Sequence, residues 1–247
     1  MPVIVGLGKI HLADAFLDVQ QVLAGHDRVV LFSHMAPLLN ELIADDAIIY
    51  NFEPFYQGSP ILNIGYLQTL SKHEVWDYQK KNVEFLASVG IKATHVPYGY
   101  SPCLESFMDA QEDIDVLFIG GVNQRRIDFL KKLEKSELNH KIITYGCFGR
   151  ERDELIARAK IIVNLHYLDV YPLEVVRLNY LMANKRFVIS ERGWDEQDNV
   201  CYENGLVFCE YEKLLDKCRE YLSDDTARKQ IAAKGYDIVK TMKMVLP

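Results

Sequence analysis

The side chains best suited to binding or catalysis in this chain cluster in the segment Asn164–Tyr180. An apolar run ends at His166, and a short polar stretch that includes Tyr171 follows it. Pro172 suits the first position of a helix, where its missing N–H costs nothing, so we expect a helix over about 172–184. His166 and Tyr171 would then lie in the loop that leads into the helix.

Glu174 and Arg177 are charged residues on a predicted helix that is apolar on nearly all sides. Buried charges need partners. One interpretation is an ion pair between the two, because residues three apart share a helix face. The other is a binding site, in which Glu174 accepts hydrogen bonds from sugar or ribose hydroxyls while Arg177 and the helix N-terminus face phosphate.

A second candidate site follows the apolar strand predicted at 115–119. Gly121 allows a ligand to approach the backbone, and the start of the next helix, near Asn123, favours an anion. Arg125 and Arg126 can each bind phosphate oxygens through two N–H groups. The segment therefore suits a diphosphate; the alternative is an exposed helix start with solvated arginines.

Two further glycine-containing turns are candidates for contact with a ligand. Gly149 follows a predicted strand at 141–145 and either lines a nucleotide-base pocket or simply forms a turn. Near the N-terminus, the dinucleotide-binding pattern G-x-G-x-x-G is incomplete, since His11 replaces its third glycine. That turn is either structural or a ligand-facing loop, in which Gly8 allows close approach and Lys9 or His11 contacts the ligand.

Glu53 follows the strand predicted at 47–50 and is surrounded by aromatic residues. A carboxylate in such surroundings can have a raised pKa and act as a base, although a role in capping the next segment is the simpler alternative. No D-x-D pair stands at a strand end, so we predict no metal site.

Apolar strands alternate with helices along the whole chain, which predicts parallel sheets covered by helices on both faces. The segment 101–114 mixes proline, serine and acidic residues and is interpreted as a linker. We therefore predict an α/β protein of two Rossmann-like domains, residues 1–105 and 106–247. A cleft between the carboxyl ends of their strands would bind ligands.

The composition excludes several classes of protein. The 247 residues are 49% hydrophobic and carry a net charge of −7, which argues against disorder and against a broad nucleic-acid surface. No stretch resembles a signal peptide or a membrane span, so we expect a soluble, cytoplasmic protein. The five cysteines are scattered, which favours reduced thiols.

The segment 148–191 resembles the C-terminal, nucleotide-sugar-binding half of GT-B glycosyltransferases of the group-1 type, especially short bacterial and viral forms. The stretches YNFEPF, EVWDYQKKN and VPYGYSP are similar to the N-terminal half of the same proteins. The resemblance implies a donor bound mainly by the second domain, an acceptor bound mainly by the first, and no obligatory metal or cofactor.

By position, Gly121 with Arg125 or Arg126 matches the family's phosphate-facing loop, and Glu174 stands near its sugar-facing glutamate. The chain departs from the family at Tyr180, which takes the place of the second glutamate of the E-x7-E pair. The family has retaining and inverting members, so the resemblance implies no stereochemistry.

The expected activity is transfer of a hexosyl group from a nucleoside diphosphate sugar to a glycan or lipid-linked acceptor, as in polysaccharide biosynthesis. Peripheral contact with a membrane stays open, and nucleic acid is not an expected partner. The donor would contact the following residues: Gly121, Asn123, Arg125, Arg126, Gly149, His166, Tyr171, Glu174 and Arg177. The acceptor side would comprise Gly8, Lys9, Asp14 and Tyr100.

Catalysis would be electrostatic, with Arg125, Arg126, Arg177 and helix N–H groups stabilising the departing diphosphate. An inverting enzyme also needs a base, for which the candidates in order are Glu53, His11 and Asp14. Two alternatives remain: a glycosyltransferase-like binding module without turnover, and a nucleotide-sugar epimerase of the same architecture.

Overall fold

The fold is described from a computed structural model, which covers residues 3–5, 23, 25, 29–32, 43–56, 59, 62–106 and 108–247. The chain divides into two compact units. The first is Met1–Gly99 together with Lys243–Pro247, and the second is Tyr100–Met242. The sequence places the boundary between residues 105 and 106, so this division differs by assigning residues 100–105 to the second unit and residues 243–247 to the first.

The first unit is built on a parallel sheet whose strands follow one another in chain order. All four residues of the central strand β3 are buried, as expected for a sheet covered on both faces. The strands are β1 (Val3–Val5), β2 (Val29–Phe32), β3 (Ile48–Asn51), β4 (Glu74–Asp77) and β5 (Ala93–His95), and the described helices are α1 (Ile64–Leu70) and α2 (Lys80–Ser88).

The second unit contains a parallel sheet with a different strand order, β10-β9-β8-β6-β7. Its strands are β6 (Ile114–Ile119), β7 (His140–Ile143), β8 (Ala159–Asn164), β9 (Val188–Ser190) and β10 (Val207–Phe208). Its helices are α3 (Gln124–Glu134), α4 (Gly149–Arg158), α5 (Val175–Ala183), α6 (Glu196–Tyr202), α7 (Leu214–Leu222) and α8 (Asp225–Thr241).

In the second sheet, the side on which successive strands are added changes at β6, while all strands stay parallel. The chain first adds β7 on one side of β6 and then crosses to add β8 on the other side. Helices leave such a pair of strands in opposite directions, which opens a crevice at their carboxyl ends where α/β proteins bind ligands. The topology thus points to the ends of β6 and β8 as the position of a site.

The predicted α/β class with two Rossmann-like parallel sheets is confirmed. The helix predicted over 172–184 begins instead at Val175, so Pro172 does not occupy its first position. A backbone hydrogen bond from Val175 N–H to Leu173 O forms a turn just before the helix. The sequence pattern also predicts helices near residues 12–23 and 36–43; apart from Leu23 and Ile43, these segments lie outside the described residues.

The segment predicted as a linker is packed against the second unit. Leu104 is completely buried, and the amide of Asn184 donates to its carbonyl at 2.7 Å. The same Asn184 side chain accepts hydrogen bonds from the backbone N–H and the hydroxyl of Ser106. One buried amide therefore holds this segment against the C-terminal end of α5.

Among the described residues, no helix has the length and apolar content needed to cross a membrane. The five cysteines form no disulfide among themselves; Cys103 and Cys201 are exposed, whereas Cys147 and Cys218 are buried.

The helix α8 approaches the rest of the second unit so closely that it requires glycine. A Cβ atom on Gly235 would lie 2.5 Å from the carbonyl oxygen of Gly205 and 3.3 Å from Cγ of Met182. Because the nearest atom belongs to the backbone, it cannot rotate away.

We predict that Gly235→Ala lowers the free energy of unfolding by about 2 kcal/mol, the usual cost of overpacking, despite the better helix propensity of alanine. Urea unfolding measures the change. Gly65→Ala in α1 is the control, since its Cβ would meet only a side-chain oxygen at 3.4 Å. Equal effects of the two substitutions would contradict the prediction.

Candidate functional site

The candidate site lies at the carboxyl ends of β6 and β8, where Gly120 and Gly121 follow one strand and Leu165 and His166 follow the other. A Cβ on Gly121 would meet no atom within 4 Å, so the space in front of this residue is open. A Cβ on Gly120 would lie 3.4 Å from guanidinium nitrogens of both Arg126 and Arg177. Two cations therefore flank the backbone of the first loop.

Arg126 is buried and ties the two loops together. Its guanidinium donates to the carbonyl oxygens of Gly121 at 2.7 Å, His166 at 3.3 Å and Leu165. Glu174 approaches it at 3.4 Å. Burial, followed by the charge of Arg177, lowers the pKa of Arg126 to about 10, so the guanidinium stays charged at neutral pH.

Arg125, the neighbouring residue, is occupied by carboxylates. It forms a two-point ion pair with Glu191 and a further ion pair with Asp169, and its guanidinium stacks 4.3 Å from the ring centre of Tyr211. The hydrogen bonds that Arg125 donates to Glu191 are the main cause that raises the pKa of Arg125. The predicted phosphate role of Arg125 stays a prediction, but its charge is already balanced within the protein.

His166 is held between two acceptors. Its Nδ1 lies 2.8 Å from a carboxylate oxygen of Glu174, and its Nε2 lies 3.1 Å from the carbonyl oxygen of Arg192. A carbonyl oxygen can only accept, so Nε2 carries a proton; an ionised carboxylate requires a proton on Nδ1 as well. The geometry therefore favours the imidazolium form.

The electrostatics of the pair agree with this assignment. Burial alone would lower the pKa of His166, but the hydrogen bond and charge of Glu174, with a smaller effect of Glu191, raise it above its usual value. Burial of Glu174 acts to raise its pKa, yet His166 and the nearby arginines lower it. Each group thus favours the charged form of the other.

Arg177 has fewer partners among the described residues than Arg125 or Arg126, and Glu174 is a carboxylate whose charge acts on it without forming an ion pair. Its described hydrogen bond is to the side-chain oxygen of Asn164, at 3.2 Å. Within the described part of the chain it forms no ion pair, and the expected alternative of a Glu174–Arg177 pair is not observed, because Glu174 bonds instead to His166 and to Asn164 at 2.8 Å. A half-buried cation beside the open space at Gly121 is suited to an anionic ligand.

The remaining donor-side candidates have local roles in this structure. Asn123 caps α3 by accepting from Arg126 N–H, and its amide donates to the carbonyl of Tyr167 at 2.6 Å. The ring of Tyr171 lies 6.0 Å from that of His166. Gly149 begins α4 with a positive φ of 53°, a conformation that glycine adopts readily.

Tyr180, where the family resemblance leads us to expect a second glutamate, is bound to groups outside this cluster. Its hydroxyl donates to Asp153 and contacts Ser106 at 3.4 Å, and Arg152 stacks over its ring at 4.4 Å. Burial and the hydrogen bond to Asp153 raise its pKa to about 12. Tyr180 therefore connects α5 to α4.

In the first unit, Glu53 is positioned by its backbone. The amides of Asn51 and Asn82 both donate to the Glu53 carbonyl at 2.9 Å, and the Glu53 N–H donates to Asn51 Oδ1. Its side chain is half-buried. The turn after β3 is thus fixed, whether or not Glu53 acts as a base.

Asp77, the last residue of β4, is a buried carboxyl group that the sequence analysis did not identify. It accepts hydrogen bonds from Asn51 at 2.7 Å, from Gln79 N–H at 2.8 Å and from Asn82 at 3.1 Å. Burial raises its pKa to about 8, and these three donors oppose the rise. A polar residue that ends a buried strand was the available signal.

Of the remaining residues predicted for the acceptor side and for catalysis, the structure describes Tyr100. Gly8, Lys9, His11 and Asp14 lie outside the described residues. Tyr100, expected on the acceptor side, belongs to the second unit, where its hydroxyl donates to Glu105. Among the side chains that the structure describes, no group of three or more histidines, cysteines or carboxylates is placed to hold a metal ion.

Comparison with curated sequences finds relatives that are described as uncharacterized proteins. No family model matches the chain. The uncharacterized protein R358 of Acanthamoeba polyphaga mimivirus is 25% identical over 246 residues, which cover 96% of this chain and 86% of that protein.

Solved structures identify the fold. The Anabaena protein HepE in complex with UDP-glucose superposes with a TM-score of 0.62 at 11% identity, covering 91% of this chain and 77% of HepE. WaaG, a glycosyltransferase of lipopolysaccharide biosynthesis, gives a TM-score of 0.61 at 11% identity over 98% of this chain and 95% of WaaG. The chain therefore has the GT-B glycosyltransferase fold, as the sequence resemblance implied.

We predict that Glu174→Gln lowers the pKa of His166, because burial then acts on the imidazolium with less compensation. An NMR titration of the His166 ring measures the change. Glu196→Gln is the control, since this exposed carboxylate pairs with Arg192, whose backbone carbonyl contacts the same ring. An unchanged pKa in Glu174→Gln would rule out the ion pair.

The buried carboxyl of Asp77 should make the stability of the protein depend on pH. Its pKa is raised from 3.8 to about 8 in the folded chain, so the folded state binds the proton more tightly. The free energy of unfolding contributed by this group therefore decreases as pH rises from about 4 to about 8.

Asp77→Asn has no such proton to lose. The stability of this variant relative to the unchanged protein should increase as the pH is raised over that range, as measured by urea unfolding. Asp216→Asn, at an exposed carboxylate of α7, is the control for the loss of a carboxylate. A flat difference for Asp77→Asn would show that its pKa is not raised.

Proposed function

We propose that this protein is a glycosyltransferase that moves a hexosyl group from a nucleoside diphosphate sugar to a glycan or lipid-linked acceptor. The observation that carries the proposal is the guanidinium of Arg177 at the carboxyl ends of β6 and β8. It stands beside open space at Gly121 without a carboxylate partner among the described residues. A diphosphate is an anion that such a position would bind.

The chemistry follows from where charge develops. As the glycosidic bond to the donor breaks, negative charge accumulates on the departing diphosphate, and fixed cations and N–H groups lower the energy of that state. Arg177 and the N-terminus of α3 would contact the phosphates. Arg126 would act through its charge and through the loops that it holds, since its N–H groups are occupied by carbonyl oxygens.

The imidazolium of His166 adds a further positive charge near the donor. With Arg126 and Arg177 it faces the single carboxylate of Glu174, so this part of the site has an excess of positive charge. That excess would neutralise a diphosphate without a bound metal ion. The similar fold of HepE, which was solved with UDP-glucose, supports a nucleoside diphosphate sugar as the donor class.

The first unit would bind the acceptor. If the reaction inverts the anomeric centre, a base is needed to deprotonate the acceptor hydroxyl, and Glu53 is our candidate because hydrogen bonds from Asn51 and Asn82 fix its backbone. A retaining reaction would not require it.

A second candidate function is a binding module that has lost turnover. The contacts of Tyr180 favour it: the position where the family resemblance leads us to expect a carboxylate holds a phenol bonded to Asp153. Such a protein would bind a donor nucleotide but release no sugar from it.

We predict that one nucleoside diphosphate binds selectively among UDP, GDP and ADP, with EDTA present, in isothermal titration of the full chain; the monophosphate CMP is titrated alongside for comparison. Arg177→Ala should weaken this binding about tenfold or more, because a charge-assisted hydrogen bond contributes about 1.5 to 3 kcal/mol. Arg150→Ala is the control, since Arg150 is an exposed residue paired with Glu154 in the same unit.

The outcomes separate the hypotheses. Failure of every nucleotide to bind, or equal weakening by the two arginine variants, would overturn the donor site. Binding together with release of the nucleotide from its sugar conjugate supports the transferase, whereas binding without any transfer or hydrolysis identifies the inactive module.

A further inference from the structure

The second unit has another concave region, at the opposite edge of its sheet. A cavity of about 200 Å³ lies where β8 begins at Ala159, where Phe187 precedes β9, and beside the first turns of α8. Because the strands are parallel, their amino ends are at the edge opposite to the carboxyl ends that form the candidate donor site. The two regions are therefore separate.

The lining of this cavity is strongly basic. Five basic side chains contribute to it: Lys160, Lys185, Arg186, Arg228 and Lys229. Its acidic members are Glu112 and Asp225. This local excess of positive charge contrasts with the net charge of −7 on the whole chain.

Three of these five basic side chains form ion pairs that the structure describes. Lys160 pairs with Asp115 at 2.6 Å. A single carboxylate, Asp225, serves both Arg228 at 2.8 Å and Lys229 at 2.7 Å. Arg228 is almost fully buried, and its other hydrogen bonds go to backbone carbonyls of α7.

Arg186 is a lining residue that is held by backbone carbonyls, with Glu112 and Asp109 acting on its charge from a distance. Its guanidinium donates to the backbone carbonyls of Ala157 at 3.3 Å and Met108 at 2.9 Å, and no ion pair joins it to a carboxylate in the described part of the chain. Its Nε is buried and has no hydrogen-bond partner. Burial lowers the pKa of Arg186, so a bound anion would relieve an existing electrostatic cost.

Lys185 stands beside Arg186 in an unusual backbone conformation. Its φ is +52°, in the left-handed region where glycine or asparagine is the usual residue after a helix. Its ammonium lies 4.7 Å from the ring centre of Tyr236. The conformation places a lysine side chain at the rim of the cavity, where glycine would have been less strained.

We propose that this cavity binds a small phosphate-bearing anion through Arg186 and Lys185, at a site separate from the donor site. A guanidinium and an ammonium together match the charge and the acceptor oxygens of phosphate groups. The phosphate could come from a soluble metabolite or from a lipid headgroup. The proposal does not depend on the activity suggested above.

Inorganic pyrophosphate is the probe, titrated calorimetrically into the full-length Arg177→Ala variant so that the candidate donor site contributes little. We expect one binding event that persists in this background. Lys185→Asn should weaken it about tenfold, the effect of one charge-assisted hydrogen bond, and asparagine tolerates the left-handed conformation.

Arg186→Gln is a second variant and should weaken binding at least as much, provided that circular dichroism shows it folded. Lys234→Gln is the matched control, because Lys234 is an exposed lysine of α8 that does not line the cavity. Equal weakening by Lys185→Asn and Lys234→Gln, or no weakening by Lys185→Asn, would overturn the proposal.

Vesicles distinguish the two sources of phosphate. Sedimentation with phosphatidylcholine vesicles that contain phosphatidic acid, lost in Lys185→Asn and absent for phosphatidylcholine alone, would assign the site to a lipid headgroup. Pyrophosphate binding without vesicle binding would assign it to a soluble anion. Absence of both would overturn the site, whereas the nucleotide titrations would still test the donor site independently.

Discussion

The guanidinium of Arg126 is the interaction on which the candidate site depends. It holds three carbonyl oxygens, one after β6 and two after β8, and so fixes two loops that enter the site from neighbouring strands. A lysine could not replace it, because an ammonium lacks the planar fork that reaches separate carbonyls at once. Since backbone carbonyls are its closest partners and the Glu174 carboxylate approaches only to 3.4 Å, part of the positive charge of Arg126 stays available to the space in front of Gly121.

Three arginines that look equivalent in the sequence thus have different physical roles. Arg125 is neutralised by Glu191 and Asp169, Arg126 is held mainly by backbone carbonyls, and Arg177 forms no ion pair among the described residues and lies beside open space. The difference arises from tertiary partners: Glu191 follows β9, far along the chain from Arg125. An excess of positive charge therefore forms at one point of an acidic protein.

The α/β architecture and most strands could be predicted from the sequence, because apolar runs such as 115–119 are buried on both faces of a parallel sheet. The clustering of the segment after β6 with His166 and Glu174 could also be predicted, since adjacent parallel strands end at the same edge. The start of α5 at Val175 and the helix α6 could not, because the first depends on a local turn and the second is short. The partners of Asp77 depend on packing between β3, β4 and α2, which periodicity does not specify.

The close approach of Gly235 to Gly205 also limits how the second unit can move. Packed helices usually shift by sliding past one another as side chains rotate. Here the backbone of α8 at Gly235 lies directly against the backbone at Gly205, beside Met182 of α5, so no side chain between the two glycines can rotate to allow a shift. Because Met182 of α5 packs against both glycines, the helix that carries Arg177 is restrained as well. Adjustment to an incoming ligand falls to the loop of residues 167–173, where Tyr167 and Val170 are exposed, and surface loops rearrange within about nanoseconds to microseconds. Entry into the site should then be governed by a fast local motion rather than by slow rearrangement of packed helices.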